Sequence, residues 1–419
     1  MHKKYRVVIR AFTCRRDVAP LALFAKILER EGCEVIIAGV RNFRTTIKIW
    51  KPHAVVINTM GNALEVAKYS PGSKIVYLDG EGFQVPGKGN ADYWAENPLQ
   101  FEMLDLAMVW GKKIVEECHE VAPSMDFSKL HVVGNPKLDL VRFLPEAQKT
   151  KSKKKSVGAV CRFPTINDHQ GYMPVRTLPN EGNLERVIIQ CKAFVALINA
   201  IEAILENTDL NVSIRPHPNE QLETYYRFIK PRFGEKFKDR IEIDDSLVFP
   251  EWAAQQAALL SPTSTSFLES TLLGVPVVNL DYLSDSVEFN KEYAPVCEEW
   301  QAGGLMPENL DQLCQILNSD LQTPQVDAAV EAQLRDYCDW YSGESACKNA
   351  ADLVVELLKK DCPKMGIGWP TFLVKLRDGI SFYRAMRENP LHHNFNYKEK
   401  FHKIPKYYDQ IVDRIISGR

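Results

Sequence analysis

The residues best suited to chemistry lie in one short segment, Ser213-Ile214-Arg215-Pro216-His217-Pro218, at the end of a predicted strand. Its two prolines restrict the backbone on either side of the histidine and hold the imidazole at the strand's carboxyl end. Arg215 offers a planar guanidinium suited to phosphate or carboxylate, and His217 can donate to a phosphate oxygen. We therefore predict an anion-binding turn; a surface turn with an isolated histidine is the alternative.

A second segment, Leu260 to Glu269, runs from a predicted strand through a cluster of hydroxyl residues into a helix. Hydroxyl groups and the N–H groups at the start of a helix can hold an anion together. We predict that Ser264, Thr265, Ser266 and Glu269 contact the ligand. Ser266 and Glu269 also have the spacing of a capping box, so a capped helix without a ligand is the alternative.

Four carboxylates are candidates for a general base or a nucleophile. Glu81 lies in Asp79-Gly80-Glu81-Gly82 after a strand, where the glycines allow a ligand to approach closely. A tight turn is the alternative for that segment. Asp168 and Glu181 lie in a long connection between a strand and a helix, and Glu185 follows them. A solvated loop is the alternative for any one of these residues.

These segments need a scaffold of parallel strands, and the chain has the pattern for one. Short, nearly continuous apolar runs alternate with helical patterns, which is typical of parallel sheets covered on both faces. The first helix is predicted over Pro20 to Glu31. Eleven strands are predicted, at 6–9, 34–38, 54–58, 74–78, 103–109, 130–133, 157–161, 211–214, 240–243, 257–260 and 275–280.

Two such alternating series in succession predict a GT-B-like α/β fold, in which two Rossmann-like domains with parallel sheets enclose an interdomain cleft. The predicted divisions are a first domain over 1–148, a linker over 149–156, a second domain over 157–345, and helices with a basic aromatic tail over 346–419. The linker is polar and lysine-rich, so an anion-binding patch is the other interpretation of it.

Composition argues against several classes of protein. The net charge of −2 at pH 7 attracts no nucleic acid, and we expect no such partner. The ten cysteines include no Cys-x-x-Cys pair, so neither a disulfide framework nor a thiolate zinc site is expected. The first apolar run is too short for a signal peptide, and no stretch is expected to reach the ~18 apolar residues of a spanning helix. These features favour a cytoplasmic protein.

The ordered motifs resemble those of bacterial surface-polysaccharide transferases. Arg215-Pro216-His217-Pro218, followed by Ser264-Thr265-Ser266 with Glu269, is similar to the paired motifs of the Kdo transferases of capsule and O-antigen synthesis and, more distantly, of polysialyltransferases. Three further segments look like those of the "surface carbohydrate biosynthesis protein" group, namely Asp79 to Gly82, Trp110-Gly111 and Val133 to Asp139.

The resemblance implies a glycosyltransferase that moves Kdo or a related acidic sugar from a CMP-sugar to a growing surface glycan or glycolipid. It implies no metal and no cofactor, because the CMP-sugar is a substrate. The first domain would face the acceptor, and the second would bind the nucleotide-sugar through His217 and the hydroxyl cluster, with Asn135 also on the donor side. In some members of the family a carboxylate nucleophile lies in the region where this chain has Asp168, Glu181 and Glu185.

Two other functions remain open. One is a UDP-sugar epimerase or transferase of the same architecture, and the other is a non-catalytic scaffold of a polysaccharide assembly complex. Residues 363–419 hold eleven Lys or Arg against five Asp or Glu, together with many aromatics. This composition predicts a peripheral contact with the inner face of the inner membrane or with an assembly complex, and a tail packed on the body is the alternative.

Overall fold

The computed structural model describes residues 5–80, 94–145, 155–168, 181–262, 264–284, 286, 304–319, 321, 323–324, 326, 328–388 and 404–418. The chain divides into two compact units. Unit 1 consists of Met1–Phe143 and Ala332–Arg419, and unit 2 consists of Leu144–Glu331. The C-terminal part of the chain therefore belongs to the same unit as the N-terminal part.

Unit 1 contains a six-stranded parallel sheet in the order β2-β1-β3-β4-β5-β6. Its inner strands are buried along almost their whole length, as expected for a sheet with helices on both faces. The strands are β1 (Arg6–Ala11), β2 (Glu34–Gly39), β3 (Ala54–Ile57), β4 (Lys74–Leu78), β5 (Leu106–Val109) and β6 (Leu130–Val132). The helices among them are α1 (Cys14–Arg30), α2 (Val40–Trp50), α3 (Asn62–Tyr69), α4 (Pro98–Glu102), α5 (Lys112–Val121) and α6 (Pro136–Arg142).

Unit 2 contains a five-stranded parallel sheet in the order β11-β10-β7-β8-β9, so the strand order reverses between β7 and β10. The strands are β7 (Ser156–Val160), β8 (Asn211–Arg215), β9 (Ile241–Ile243), β10 (Ala258–Ser261) and β11 (Val277–Asn279). The α-helices are α7 (Glu181–Asn207), α8 (Leu222–Thr224), α9 (Lys230–Arg232), α10 (Phe249–Ala253), α11 (Ser266–Leu272), α12 (Leu310–Asn318) and the start of α13 (Ala328–Asp336). A π-helical turn covers Tyr225–Ile229, and 3₁₀ turns cover Glu235–Arg240 and Asp281–Ser284.

The C-terminal helices pack on unit 1. They are the rest of α13, α14 (Ala346–Lys360), α15 (Thr371–Glu388) and α16 (Tyr408–Ser417), with a 3₁₀ turn at Trp340–Ser342. Tyr408 and Ile411 on α16 are buried, and Lys26 of α1 forms an ion pair with Asp409 at 2.6 Å. Helix α16 and the face of α15 that carries Val374 therefore pack on unit 1. Residues 332–345, placed by the sequence in the second domain, contact the first unit.

The first helix begins earlier than the sequence predicts. Helix α1 starts at Cys14, so Pro20 lies inside the helix instead of at its start. The Asp17 carboxylate accepts the backbone N–H groups of Phe12, at 2.8 Å, and Thr13, at 2.9 Å. These bonds satisfy donors that a helix start leaves unpaired, and they fix the start of α1 upstream of the proline.

One helix among the described residues is long and apolar enough to cross a membrane by length and composition. The stretch is Leu184–Asn207, with a mean hydropathy of 1.8. The expectation that no stretch qualifies is therefore wrong, because the few charged residues in α7 do not offset its apolar ones. Leu197, Ile201 and Ile204 of this helix lie in the core of unit 2.

Candidate functional site

Three neighbouring strands of unit 2 bring the predicted motifs to one edge of the sheet. Strand β7 pairs with β8 on one side and with β10 on the other, and all three are parallel. Their carboxyl ends therefore meet at the same edge, with β8 and β10 about 10 Å apart at two strand spacings. The reversal of strand order between β7 and β10 is the position where ligands bind in open α/β sheets.

The histidine turn after β8 fixes the orientation of its imidazole. The backbone N–H of Asn219 donates to Nδ1 of His217 at 3.1 Å, and the His217 carbonyl accepts from the N–H of Glu220 at 2.9 Å. Because Nδ1 is an acceptor, the neutral ring carries its proton on Nε2. His217 is half-buried. The turn therefore prepares Nε2–H as a hydrogen-bond donor rather than as a base.

A buried carboxylate, which the sequence analysis did not single out, joins the turn after β8 to the segment after β7. The Glu220 side chain is fully buried and accepts the backbone N–H of Phe163 at 2.6 Å. It also accepts the hydroxyl of Tyr225. Burial raises the pKa of Tyr225 well above its ordinary value, so the phenol keeps its proton and donates it. Glu220 is recognisable as important from its burial and from its bond to Phe163, 57 residues away. Neither property can be seen in the sequence.

The same pairing places Asp168 beside the histidine turn. Asp168 and Glu220 form an isolated antiparallel bridge. Next to it, the Asn167 carbonyl accepts the N–H of Gln221 at 3.2 Å, and the Asn167 amide donates to the Gln221 carbonyl at 3.2 Å. Two strand-end segments that are about fifty residues apart in the chain are thus joined into one surface.

The other candidate carboxylates are differently placed. Glu185 is exposed on α7. Glu181 is the first residue of that helix, and its side chain lies outside the described residues, as does all of Glu81. Among the candidates, the structure brings only Asp168 to the histidine turn within the part that it describes. Its role and theirs stay predictions.

Arg215 makes its contacts with the loop after β9. Its guanidinium forms an ion pair with Asp244 and donates to the Ser246 hydroxyl at 2.9 Å and the Ser246 carbonyl at 3.0 Å. It also lies 5.5 Å from the ring centre of Phe249 and 5.3 Å from that of Trp252. These contacts fix the guanidinium against the loop, and they position the end of β8 from which the turn starts.

The hydroxyl segment after β10 leads directly into α11. The Ser266 backbone N–H donates to the Ser264 hydroxyl at 3.3 Å, and the Ser266 hydroxyl donates to the same oxygen at 3.0 Å. Thr265 is exposed, and Glu269 is half-buried in the first turn. The alternative of a capping box from Ser266 to Glu269 is not what the structure has, because Ser266 is already inside the helix and its N–H donates to Ser264.

The strand-end motifs of unit 1 have partners in the C-terminal helices. Asn135 is the N-cap of α6, where its side chain accepts the Lys137 N–H at 2.9 Å. The Asp139 carboxylate is fully buried and accepts the Ser345 hydroxyl at 2.8 Å and the N–H groups of Ala346 and Cys347 at 3.1 and 2.8 Å. Asp139 thereby secures the start of α14.

The Trp-Gly segment and the aspartate after β4 are also held by neighbours in unit 1. The Trp110 indole N–H donates to the carbonyl of Asp79 at 2.9 Å. A β-carbon at Gly111 would collide with the backbone of Asp336 and Tyr337, so only glycine allows this approach of α13. Within the described residues, no group of three or more His, Cys, Asp or Glu could hold a metal ion.

No family model matches this chain, and no curated protein matches it. Solved structures do match. The wall teichoic acid polymerase TagF (H548A variant) is 12% identical, with a TM-score of 0.54 over 85% of this chain and 89% of that one. A TagF H444N structure soaked with CDPG is 12% identical, with a TM-score of 0.52 over 85% and 90%.

This chain has a GT-B fold. A UDP-GlcNAc 2-epimerase from Methanocaldococcus jannaschii, in complex with UDP-GlcNAc and UDP, is a further similar structure, 13% identical with a TM-score of 0.49 over 84% of this chain and 99% of that one. The two parallel sheets and the likeness to TagF confirm the predicted fold class of two parallel α/β domains. In the GT-B chain, each domain contains one of the two sheets.

Proposed function

We propose that unit 2 binds the phosphate of a nucleotide-activated substrate, and that the chain transfers an acidic sugar such as Kdo from a CMP-sugar to a growing surface glycan or glycolipid. One observation carries the proposal. Strand β7 lies between β8 and β10, so the histidine turn and the hydroxyl segment end on one edge, at the reversal of strand order.

In the proposed reaction, the bond between the sugar carbon and the phosphate oxygen breaks, and CMP leaves with increased negative charge. His217 donates its Nε2 proton as a hydrogen bond to a phosphate oxygen, since Nδ1 is occupied by the N–H of Asn219. The hydroxyl groups of Ser264, Thr265 and Ser266 supply further donors at the same edge. Such prearranged donors stabilise the charge that develops in the transition state.

Arg215 acts in this proposal mainly by positioning. Its guanidinium already neutralises Asp244 and binds Ser246, so it holds the start of the histidine turn and adds positive potential to the edge. The half-buried Glu269 in the first turn of α11 lies on the donor side and accepts a hydroxyl of the nucleotide. Asn135 belongs to unit 1, and a donor contact there stays a prediction.

A carboxylate must also either deprotonate the acceptor hydroxyl or attack the sugar carbon. Asp168 suits this task best, because its backbone is paired with Glu220 directly beside the histidine turn. Either role follows the two-carboxylate logic of glycosyl transfer. Glu181, Glu185 and Glu81 are the alternatives, with Glu185 disfavoured by its exposed place on α7.

A second candidate function is favoured by the likeness to TagF, which was studied with CDPG. The chain would then transfer a phosphoalcohol from a CDP-linked donor such as CDP-glycerol, again releasing CMP. The same donors would stabilise the leaving phosphate, and Asp168 would act as base on the acceptor hydroxyl. Both candidates are cytidine-nucleotide transferases, and they differ in the bond that breaks.

The experiment is to incubate the full chain with CMP-Kdo, CDP-glycerol and UDP-GlcNAc, each with EDTA and without it, and to identify the released nucleotide by mass spectrometry. The proposal expects CMP release from CMP-Kdo that EDTA leaves unchanged. CMP release from CDP-glycerol alone selects the second candidate. Turnover of UDP-GlcNAc alone rejects both, whether UDP is released or proton NMR shows that the intact UDP-sugar is epimerised. No change in any of the three donors favours a scaffold.

The proposal also includes a peripheral attachment through the C-terminal part of the chain, which places the enzyme on the cytoplasmic side of a membrane. Helix α15 packs Val374 and Asp378 against unit 1. Its opposite face leaves Phe372, Leu376 and Ile380 exposed, a spacing that forms one apolar stripe. Together with the excess of basic residues after 363, this stripe suits an anionic lipid surface.

The attachment is tested by co-sedimentation with vesicles that contain an anionic phospholipid. Phe372→Glu and Leu376→Glu together should abolish sedimentation, because they place charge on the apolar stripe. Leu99→Glu, at an exposed leucine elsewhere in unit 1, is the matched control and should leave it unchanged. Equal sedimentation of all three proteins would contradict the attachment.

A further inference from the structure

Among the described residues, no carboxylate pairs with Arg10, a buried arginine at the end of β1. Arg10 is only 7% exposed, and the hydrogen bond that it makes within this part of the chain is to a neutral acceptor, the side-chain oxygen of Asn58, at 3.2 Å. Its Nε is buried without a partner among the described residues. Burying a cation without an opposite charge is unfavourable unless something else compensates it.

The two described carboxylates that act electrostatically on Arg10 form their direct contacts with other groups. The Asp17 carboxylate accepts Phe12 and Thr13 N–H groups and pairs with Arg16 at 2.7 Å. Glu65 pairs with Arg44 at 2.5 Å. Both carboxylates act on Arg10 only through space, and burial is the main reason that the pKa of Arg10 is lowered.

The other contacts of Arg10 are aromatic. The guanidinium carbon lies 5.7 Å from the ring centre of Phe12 and 5.6 Å from that of Phe43. These rings attract the cation, but they give its Nε no oxygen or nitrogen acceptor. Close by in sequence, the Thr13 hydroxyl is also buried without a partner among the described residues.

The position of Arg10 in the sheet is one where ligands bind. The strand order β2-β1-β3 reverses at β1, and Arg10 and Asn58 lie at the carboxyl ends of β1 and β3. A third strand end lies close, because a β-carbon at Gly80, after β4, would stand 3.6 Å from the β-carbon of Asn58. Gly80 therefore lies directly beside Asn58.

Arg215, the buried arginine of unit 2, has different partners. Arg215 is equally buried, at 8% exposed, but it pairs with Asp244 and with both oxygens of Ser246. Unit 2 therefore supplies its buried guanidinium with an anion from its own chain. Unit 1 supplies an amide oxygen and two aromatic rings to Arg10.

We propose that Arg10, Thr13 and Asn58 form an oxyanion site in unit 1 that binds a carboxylate or phosphate group of a sugar substrate. The guanidinium presents paired N–H groups to two oxygens, the Thr13 hydroxyl donates to one of them, and the Asn58 amide holds the guanidinium in place. The proposal rests on residues of unit 1 alone and does not depend on the phosphate site proposed for unit 2.

The test replaces the missing anion with one from the chain. Asn58→Asp places a carboxylate beside Arg10. Because Asp and Asn side chains have nearly the same shape, the new carboxylate should pair with the guanidinium without moving the backbone. Isothermal titration of the full chain with inorganic phosphate and with pyruvate should show binding of at least one of them. In Asn58→Asp that binding should be at least about tenfold weaker, while the resistance to unfolding by urea rises.

The control is Thr59→Asp, which adds the same charge on the neighbouring exposed side chain. It should keep affinity within about threefold of the unaltered chain, since an exposed charge is well screened. Arg10→Lys keeps the positive charge but loses the paired donors, so it should also weaken binding. The titrations are repeated with excess CMP. CMP would occupy the site in unit 2 and leave the binding of phosphate or pyruvate to unit 1 unchanged.

The two probes distinguish the two kinds of ligand. Tighter binding of pyruvate indicates a sugar carboxylate, and tighter binding of phosphate indicates a sugar phosphate. Equal affinities of the unaltered chain and Asn58→Asp would overturn the proposal, as would absence of binding by both probes. A failure of CMP to bind would count against unit 2 alone.

Discussion

The carboxyl edges of the two sheets use similar strand-end motifs in different ways. In unit 1, Asp139 and Trp110 bind parts of their own chain, and Asp139 secures the start of α14. In unit 2, the turn after β8 and the segment after β7 bind each other through Glu220, and the Asn219 N–H holds Nδ1 of His217 as an acceptor. Similar strand-end motifs therefore secure a distant helix in unit 1 and join two neighbouring strand ends in unit 2.

The largest expected effect comes from removing the carboxylate that joins α6 to α14. Asp139→Ala should lower the free energy of unfolding by about 4 kcal/mol, because three buried donors lose their acceptor. Asp352→Ala on the exposed side of α14 is the control and should change it by less than about 0.5 kcal/mol. Urea unfolding followed by circular dichroism measures both. A loss below 1 kcal/mol for Asp139→Ala would remove the contrast between the units.

A comparable effect on catalysis, without a loss of stability, is expected at the histidine turn. His217→Ala should reduce turnover of the donor by about 10²–10³-fold, or about 3–4 kcal/mol of transition-state stabilisation. His131→Ala, at an exposed histidine on β6, should leave turnover unchanged. Initial rates of CMP release measure both. Near-normal turnover by His217→Ala would reject the assigned role.

A smaller effect is expected at the carboxylate that joins the two segments of unit 2. Glu220→Gln should cost about 1–3 kcal/mol of stability, because an amide cannot accept from both Phe163 and Tyr225 as a carboxylate does. It should also lower turnover, since Asp168 is paired with Glu220. Glu223→Gln, exposed and four residues before its ion-pair partner, should do neither. Unchanged turnover at reduced stability would separate Glu220 from catalysis.

The smallest effect is a dependence of stability on pH. Burial raises the pKa of Asp139 above its ordinary value, so the folded protein holds this proton more tightly than the unfolded chain does. The stability contributed by Asp139 is thus fully present below the unfolded pKa near 3.9 and is lost as pH rises through the folded pKa. The free energy of unfolding of the unaltered chain should exceed that of Asp139→Asn by less and less as the pH rises from 4 to 8. Urea unfolding across that range measures it, and a growing advantage would contradict the shift.

The scaffold was predictable from the sequence because parallel strands buried on both faces leave continuous apolar runs. Strands such as 54–57 and 74–78 lie where these runs predict them, and the local turn at Arg215-Pro216-His217-Pro218 follows from proline chemistry. The start of α1 was not predictable from Pro20, since the Asp17 carboxylate that fixes it acts through the backbone ahead of the helix.

The partners of buried polar groups were beyond the sequence. Glu220 finds Phe163 across 57 residues, and Asp139 finds Ser345 across 206. The state of Arg10 depends on which of the described side chains surround it in space, and no local pattern encodes that. Ser266 and Glu269 had the spacing of a capping box, but the helix began one residue earlier than that motif requires.

The central claim, that the edge of unit 2 binds a nucleotide phosphate, is tested most directly by a crystal structure of the full chain with CMP. The account predicts a phosphate oxygen about 2.7–3.2 Å from Nε2 of His217, with hydroxyls of the Ser264–Ser266 segment on the same phosphate. A phosphate bound elsewhere, with His217 facing water, would contradict the account.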